Sequence, residues 1–254
     1  MSMSASIRNL GRRFRLDTSG LALIEFALSL PLVTAVGMYA IEISNLALMH
    51  LRVSQAALNL ADNASRVGVD SATGTTQQLR EVDIVDVLDG VRNYGKAWDL
   101  ATRGRITLSS LETKGGVQRI HWQRCLGVKG AAAGDGYESS YGRTYKTDGT
   151  TYDPTAGIDT DPGTADNSAT HPGTLASAGM GDAGAKVTAP DNSGVIFVEV
   201  NYEYKPLIGS YWLPDGAARI HYIASFVVRD NRDFGELYNP SPAATVMSCD
   251  QHTT

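Results

Sequence analysis

"GLALIEFALSLPLVTAVGMYAIEISNLALMHLRVSQAALNLADNASRVG", residues 20–68, decides the fold. From Leu21 to Ile41 it runs 21 residues with a single charge, Glu25. At ~1.5 Å rise per residue a helix of that length covers roughly 31 Å, the thickness of a bilayer's hydrocarbon core. Beyond Ile41 the bulk hydrophobicity falls but the helical period continues. Leu46, Met49, Val53, Ala56, Ala57, Leu60, Ala64 and Val67 recur at spacings of three, four and seven and form one apolar stripe. Glu42, Asn45, Arg52, Asn59, Asp62 and Asn63 fall mostly on the other surface. The pattern predicts one helix from Leu21 to Arg66, stopped by Gly68. Its first part, 21–43, is a membrane span, and 44–67 is an amphipathic continuation.

Charge gives this helix a direction. Residues 1–19 hold Arg8, Arg12, Arg13 and Arg15 against Asp17, a net of +3, which leaves −8 for residues 20–254 out of a total of −5. A basic leader over 1–20 before an apolar run, and an acidic body after it, predicts a cytoplasmic N-terminus and an exported C-terminal part. The acidic balance argues against a nucleic-acid partner. Both cysteines, Cys125 and Cys249, lie in the exported part, where an oxidising compartment allows a disulfide between domain and tail. One pair of cysteines does not by itself establish that they are close, so two independent thiols stay open.

Two residues fit a plain anchor poorly. A carboxylate at membrane depth costs a few kcal/mol even on lenient insertion scales, so Glu25 calls for a partner. Pro31, inside the run, removes a backbone hydrogen bond and crowds the preceding turn, which predicts a kink. A cleaved secretory signal, with Val33-Thr34-Ala35 as its cleavage site, leaves Glu25 unexplained, and a twin-arginine signal built on Arg12-Arg13-Phe14 has its phenylalanine one position too close and too hydrophobic a core. Cutting after Gly20 would instead make Leu21 a new N-terminus, with its ammonium one helical turn from Glu25.

Arg12-Arg13, Gly20 and Glu25 resemble the G-x-x-x-x-E processing site of type IV prepilins and pseudopilins. The longer string, with Ala22, Glu25, Phe26, Ala27, Leu28 and Pro31, resembles the A-x-x-E-F-A-L-x-x-P signature of TadE-like minor pseudopilins of the tight-adherence (Tad) pilus. The resemblance covers residues 12–66 by motif and 105–230 by architecture only. It implies cleavage between Gly20 and Leu21 by an aspartyl prepilin peptidase, a charge pair between Glu25 and the freed amine, and a role in assembling or priming an adhesive pilus. The implied partners are the inner membrane, the peptidase, other pilins or pseudopilins and the assembly platform.

The remainder, 68–249 before a short tail at 250–254, reads as a periplasmic α+β domain. Leu79, Val82, Val85, Val87, Leu88 and Val91 predict a short amphipathic helix. Two β-rich runs flank Lys114-Gly115-Gly116 in "RITLSSLETKGGVQRIHWQRC", a hairpin signal. "GVIFVEVNYEYKPLIG" and "ARIHYIASFVVRD" alternate as two further strands, the first with a polar half that predicts one wet face. Together these predict a pilin-like fold: a long helix packed on a roughly four-stranded antiparallel sheet. Residues 130–194, rich in Gly, Ala, Thr, Asp, Ser and Pro, read as a flexible surface insertion too poor in large apolar residues to form a core.

Chemistry is sparse. Asp148, Asp153, Asp159, Asp161 and Asp166 offer oxygen ligands, but the spacing lacks the later ligands of a calcium loop. No phosphate loop, dinucleotide fingerprint, zinc spacing or nucleophile elbow is present. His121 and His221 read as strand residues, and neither catalysis, a metal nor a cofactor is expected. Two alternatives stay open: an uncleaved single-pass protein whose periplasmic domain binds an envelope partner, and an exported enzyme of unrecognised type.

Overall fold

In the computed structural model the described residues are 20–72, 74–132, 135–144, 150–151, 158–159, 173–209, 219–234 and 236–254. The basic leader, including Arg8, Arg12, Arg13 and Arg15, lies outside them, as do Asp148, Asp153, Asp161 and Asp166. The chain divides into two compact units, whose described parts are 20–47 with 206–209, and 48–205 with 219–254.

Helix α1 spans Leu21–Arg66, unbroken through Pro31. Within the larger unit its inward stripe is Met49, Val53, Ala56, Ala57, Leu60, Ala61 and Ala64, all buried. The alanines keep that face narrow, so the backbone approaches its neighbours closely. The helix is stopped by a residue far along the chain. Buried Arg232 donates to the carbonyls of Ala64, Ser65 and Val67 at 3.4, 3.2 and 2.7 Å, satisfying acceptors that a helix end leaves open. Burial lowers the Arg232 pKa from its ordinary value, opposed by nearby Asp230, Glu112 and Asp83.

Helix α2, Glu81–Gly95, begins where Asp83 accepts from the Arg80 backbone N–H at 3.0 Å and from its guanidinium. Its inward face is Ile84, Leu88 and Val91, together with Glu81. Val82, taken from the sequence as part of the stripe, faces out, and Leu79 is buried ahead of the helix. A 3-10 turn, Lys96–Trp98, and a short helix α3, Leu100–Arg103, lead into the sheet.

The main strands are β3 (Gly104–Lys114), β4 (Val117–Leu126), β7 (Gly194–Glu203) and β8 (Arg219–Val227). A fifth, β6 (Thr174–Leu175), gives the order β6-β4-β3-β7-β8, with every neighbour antiparallel. The β3–β4 hairpin closes through Gly115 and Gly116, both at positive φ (62° and 77°), with Lys114 paired to Val117. This is the two-residue turn that matches strand twist and that side chains resist. A bulge at Ser109/Leu111 shifts the β3–β4 register. Four further two-residue strands, β1 (Val69–Asp70) with β2 (Gln77–Gln78) and β5 (Ile158–Asp159) with β9 (Leu237–Tyr238), form small ribbons.

The register sorts the sheet into two faces. Ile106, Leu108, Val198, Val200 and Ala224 share one face with Arg124 and Tyr222. That face meets the helices: His50 of α1 stacks edge-on against Tyr222 at 5.9 Å, and Glu81 of α2 pairs with Arg124. Leu111, Ile120, Val195 and Phe197 form the other face and pack with Ala176, Met180 and Ala189.

This second cluster corrects two expectations. Residues 173–189, read as part of a coreless insertion, supply a core layer of their own, with Tyr141 and Val187 packed against it. A few small apolar side chains suffice because the strands provide the bulk. Strand β7 has no wet face either, since every residue from Gly194 to Tyr202 is buried. Its polar members are covered by the insertion and satisfied there. Ser139 and the Ser140 N–H donate to the Glu199 carboxylate, and the Asn201 amide donates to the Tyr137 carbonyl at 3.1 Å. At the return to the edge of β4, Gly173 sits at φ 65°, where an added Cβ would clash with the Ile120 carbonyl oxygen.

Candidate functional site

The apolar half of α1 is the part of the molecule whose surface the fold does not use. Leu23, Phe26, Leu28 and Leu32 are 72, 61, 74 and 68% exposed, and none of the described residues buries this stretch. It is long and apolar enough to cross a membrane and lies near the N-terminus. Its hydroxyls are turned inward to the backbone. Ser29 donates to the Phe26 carbonyl at 3.1 Å, Thr34 to Leu30 at 2.8 Å and Ser44 to Ala40 at 2.8 Å. Each hydroxyl is thereby satisfied without water, as hydrocarbon requires.

Gly20 stands at the helix start, its carbonyl accepting the Ile24 N–H at 3.2 Å. Leu21 is the first helical residue and Glu25 lies one turn on, exposed and, among the described residues, without a hydrogen bond or ion pair. The Gly20–Leu21 bond and the Glu25 carboxylate thus share the first turns of one helix. Pro31 follows within the same run.

The carboxylate at the other end of the run was misread from the sequence. Glu42, placed there on the polar surface of the helix, is fully buried. Its Oε2 accepts the backbone N–H groups of Leu207 and Ile208 at 2.9 and 3.0 Å, so two consecutive amides just past β7 clasp one carboxylate oxygen. The partners lie about 165 residues downstream, and no local signal marks them.

In the larger unit the charged residues serve the fold. Arg124 and Glu81, both essentially unexposed, make a bidentate pair at 2.7 and 2.9 Å that ties α2 to β4. Cys125 and Cys249 are joined in a disulfide. Beside it, buried Arg105 donates to the carbonyls of Gly127, Cys249 and Gln251 at 2.7, 2.6 and 2.9 Å, while Cys125 N–H bonds the Met247 carbonyl. The C-terminal segment is therefore a bonded part of the sheet's second face. His121 and His221 both stand in strands, His221 Nδ1 lying 2.8 Å from Asn201 Oδ1. Ser110 donates to Glu112 at 2.5 Å and Glu112 lies 2.8 Å from His121 Nδ1. The carboxylate therefore stands between hydroxyl and imidazole, not the order that activates a serine. Among the described residues no group of three or more His, Cys, Asp or Glu could hold a metal ion.

No family model, curated protein or solved structure matches the chain.

Proposed function

We propose that this chain is a membrane-anchored minor pseudopilin of TadE-like type, made with its N-terminus in the cytoplasm, cut between Gly20 and Leu21, and used in assembling or priming an adhesive pilus. The observation that carries it is the unused apolar half of α1, which begins at the proposed cut and holds Glu25 one turn in. The rest of the same helix lies over an antiparallel sheet, so one helix carries both the apolar stretch and a face that packs on the sheet domain. Once cut, the Leu21 ammonium offers Glu25 the charge partner that a hydrocarbon setting demands, on its own chain or on a neighbour. The role is structural: the helix is the assembly surface, and the sheet domain is what it carries.

Intact mass and N-terminal peptide sequencing of membrane-extracted protein test this. A chain beginning at Leu21 is expected in cells with an active prepilin peptidase. A chain that still begins at residue 1 or 2 in such cells would refute processing and leave an uncut anchor.

A further inference from the structure

We propose that the loop leaving β7, at Pro206–Gly209, is a second membrane contact, seated at the headgroup–acyl boundary of the bilayer and held at that depth by Glu42. The inference rests on the membrane-spanning reading of α1. From Leu21 to Glu42 is 21 helical steps, roughly 31 Å at ~1.5 Å each, the thickness of the hydrocarbon core. If Leu21 marks one boundary, Glu42 marks the other. The Leu207 and Ile208 amides, at 2.9 and 3.0 Å from its carboxylate, are pinned to the same level.

The chemistry fits that location. Irregular backbone beside hydrocarbon has no water for its N–H groups, and a carboxylate there has none for its oxygens. Each need meets the other, which explains a fully buried Glu42 on a helix whose neighbouring turns are exposed. The side chain that the clasp leaves outward is apolar: Leu207 is 64% exposed. An exposed leucine alone is ordinary; one whose backbone is fastened at the boundary of a membrane span is placed to enter lipid. Met38, Tyr39 and Ile43 of α1, 38, 46 and 39% exposed, extend the apolar surface at that height, with the tyrosine at the usual level for an interfacial ring. A helix alone can slide and rotate in a bilayer, whereas a second contact on a different segment fixes both.

The test uses the full chain in phosphatidylethanolamine–phosphatidylglycerol vesicles, with an environment-sensitive fluorophore on Leu207→Cys or, separately, on Val33→Cys at mid-span. Phospholipids carrying a nitroxide near the carbonyl or at the chain end serve as shallow and deep quenchers, and iodide as the aqueous one. The label at 207 should lose emission to the shallow quencher and resist iodide. In Glu42→Ala the same label should lose its shallow quenching and become open to iodide, while the label at 33 stays deep. Should Glu42→Ala fail to insert, Glu42→Gln, which keeps an acceptor oxygen, carries the comparison, with a partial loss expected. Overturning results are a label at 207 that iodide quenches in the unmutated clasp, one shielded from iodide and lipid alike, as a second copy of the chain would produce, or one indifferent to Glu42→Ala. If the label at 33 escapes the deep quencher, the spanning reading itself falls; if only the label at 207 fails, this inference falls alone.

Discussion

Breaking the buried pair between Glu81 and Arg124 tests the packing of α2 on the sheet most sharply. The two side chains are 0 and 2% exposed and share two bonds at 2.7 and 2.9 Å, while Arg124 keeps one further bond to the Gln123 carbonyl at 2.7 Å. Glu81→Ala therefore leaves a guanidinium in the interior with one hydrogen bond of three and no counter-charge. Removing one member of such a pair costs roughly 3–5 kcal/mol. At ~2–4 °C per kcal/mol for a domain of this size, the melting temperature should fall by about 6–20 °C. Glu81→Gln, which keeps one acceptor, should cost less, roughly the 1.5–3 kcal/mol of a bond to a charged group. Replacing both, as Glu81→Leu with Arg124→Met, removes the desolvation burden along with the attraction and should return stability to near the starting value or above it. The assay is urea and thermal denaturation of the detergent-solubilised chain followed by tryptophan emission. Trp122 reports locally, because the Arg124 guanidinium lies 5.9 Å from its ring centre. Single variants that each cost under ~1 kcal/mol, or a double variant whose loss equals the sum of the singles, would refute the account, since contacting groups must couple.

Three further outcomes follow from the packing. Leu60→Ala should cost roughly 2–5 kcal/mol by leaving a cavity, whereas Leu58→Ser, two positions away and 46% exposed, should stay within about 0.5 kcal/mol; equal losses in urea titrations would mean the stripe on α1 is misplaced. Cys249→Ser opens a loop closed across 124 residues and should lower stability by about 2–4 kcal/mol, yet the Arg105 bonds should keep the tail docked, so amide exchange at Met247–Thr253 should rise without reaching free-peptide rates. Stability should also fall as pH rises above about 10, where an unfolded tyrosine ionises. Burial, with Asp233 accepting its hydroxyl proton at 2.6 Å, raises the Tyr238 pKa, and burial raises that of Tyr202, so both contributions are intact below that pH and are lost on the alkaline side. Melting curves from pH 8 to 11 on Tyr238→Phe should show a flatter alkaline limb.

Local signals carried most of the architecture. The helix from Leu21 to Arg66 follows from a period that every turn repeats, and the β3–β4 hairpin from two adjacent glycines that accept positive φ. Alternation placed β7 and β8, although it failed to say that β7 would be covered on both sides. For the candidate site, the placement of Gly20, Leu21, Glu25 and Pro31 along one helix was legible because it depends only on spacing. Glu42 was not, because a glutamate on an amphipathic helix reads as solvent-facing unless its partner is known.

By itself, then, the sequence determined what neighbouring residues decide: a helix half apolar and half amphipathic, a sheet domain behind it, and a carboxylate one turn inside a glycine junction. Only the tertiary structure decided which charges are buried. Glu42 meets Leu207 and Ile208, Glu81 meets Arg124, Arg105 meets the tail, and Glu199 meets Ser139 and Ser140, across separations of 43 to 166 residues. A buried charge is tolerable only where donors or acceptors converge on it. Convergence of that kind belongs to chain topology, which pattern and propensity along the chain do not encode.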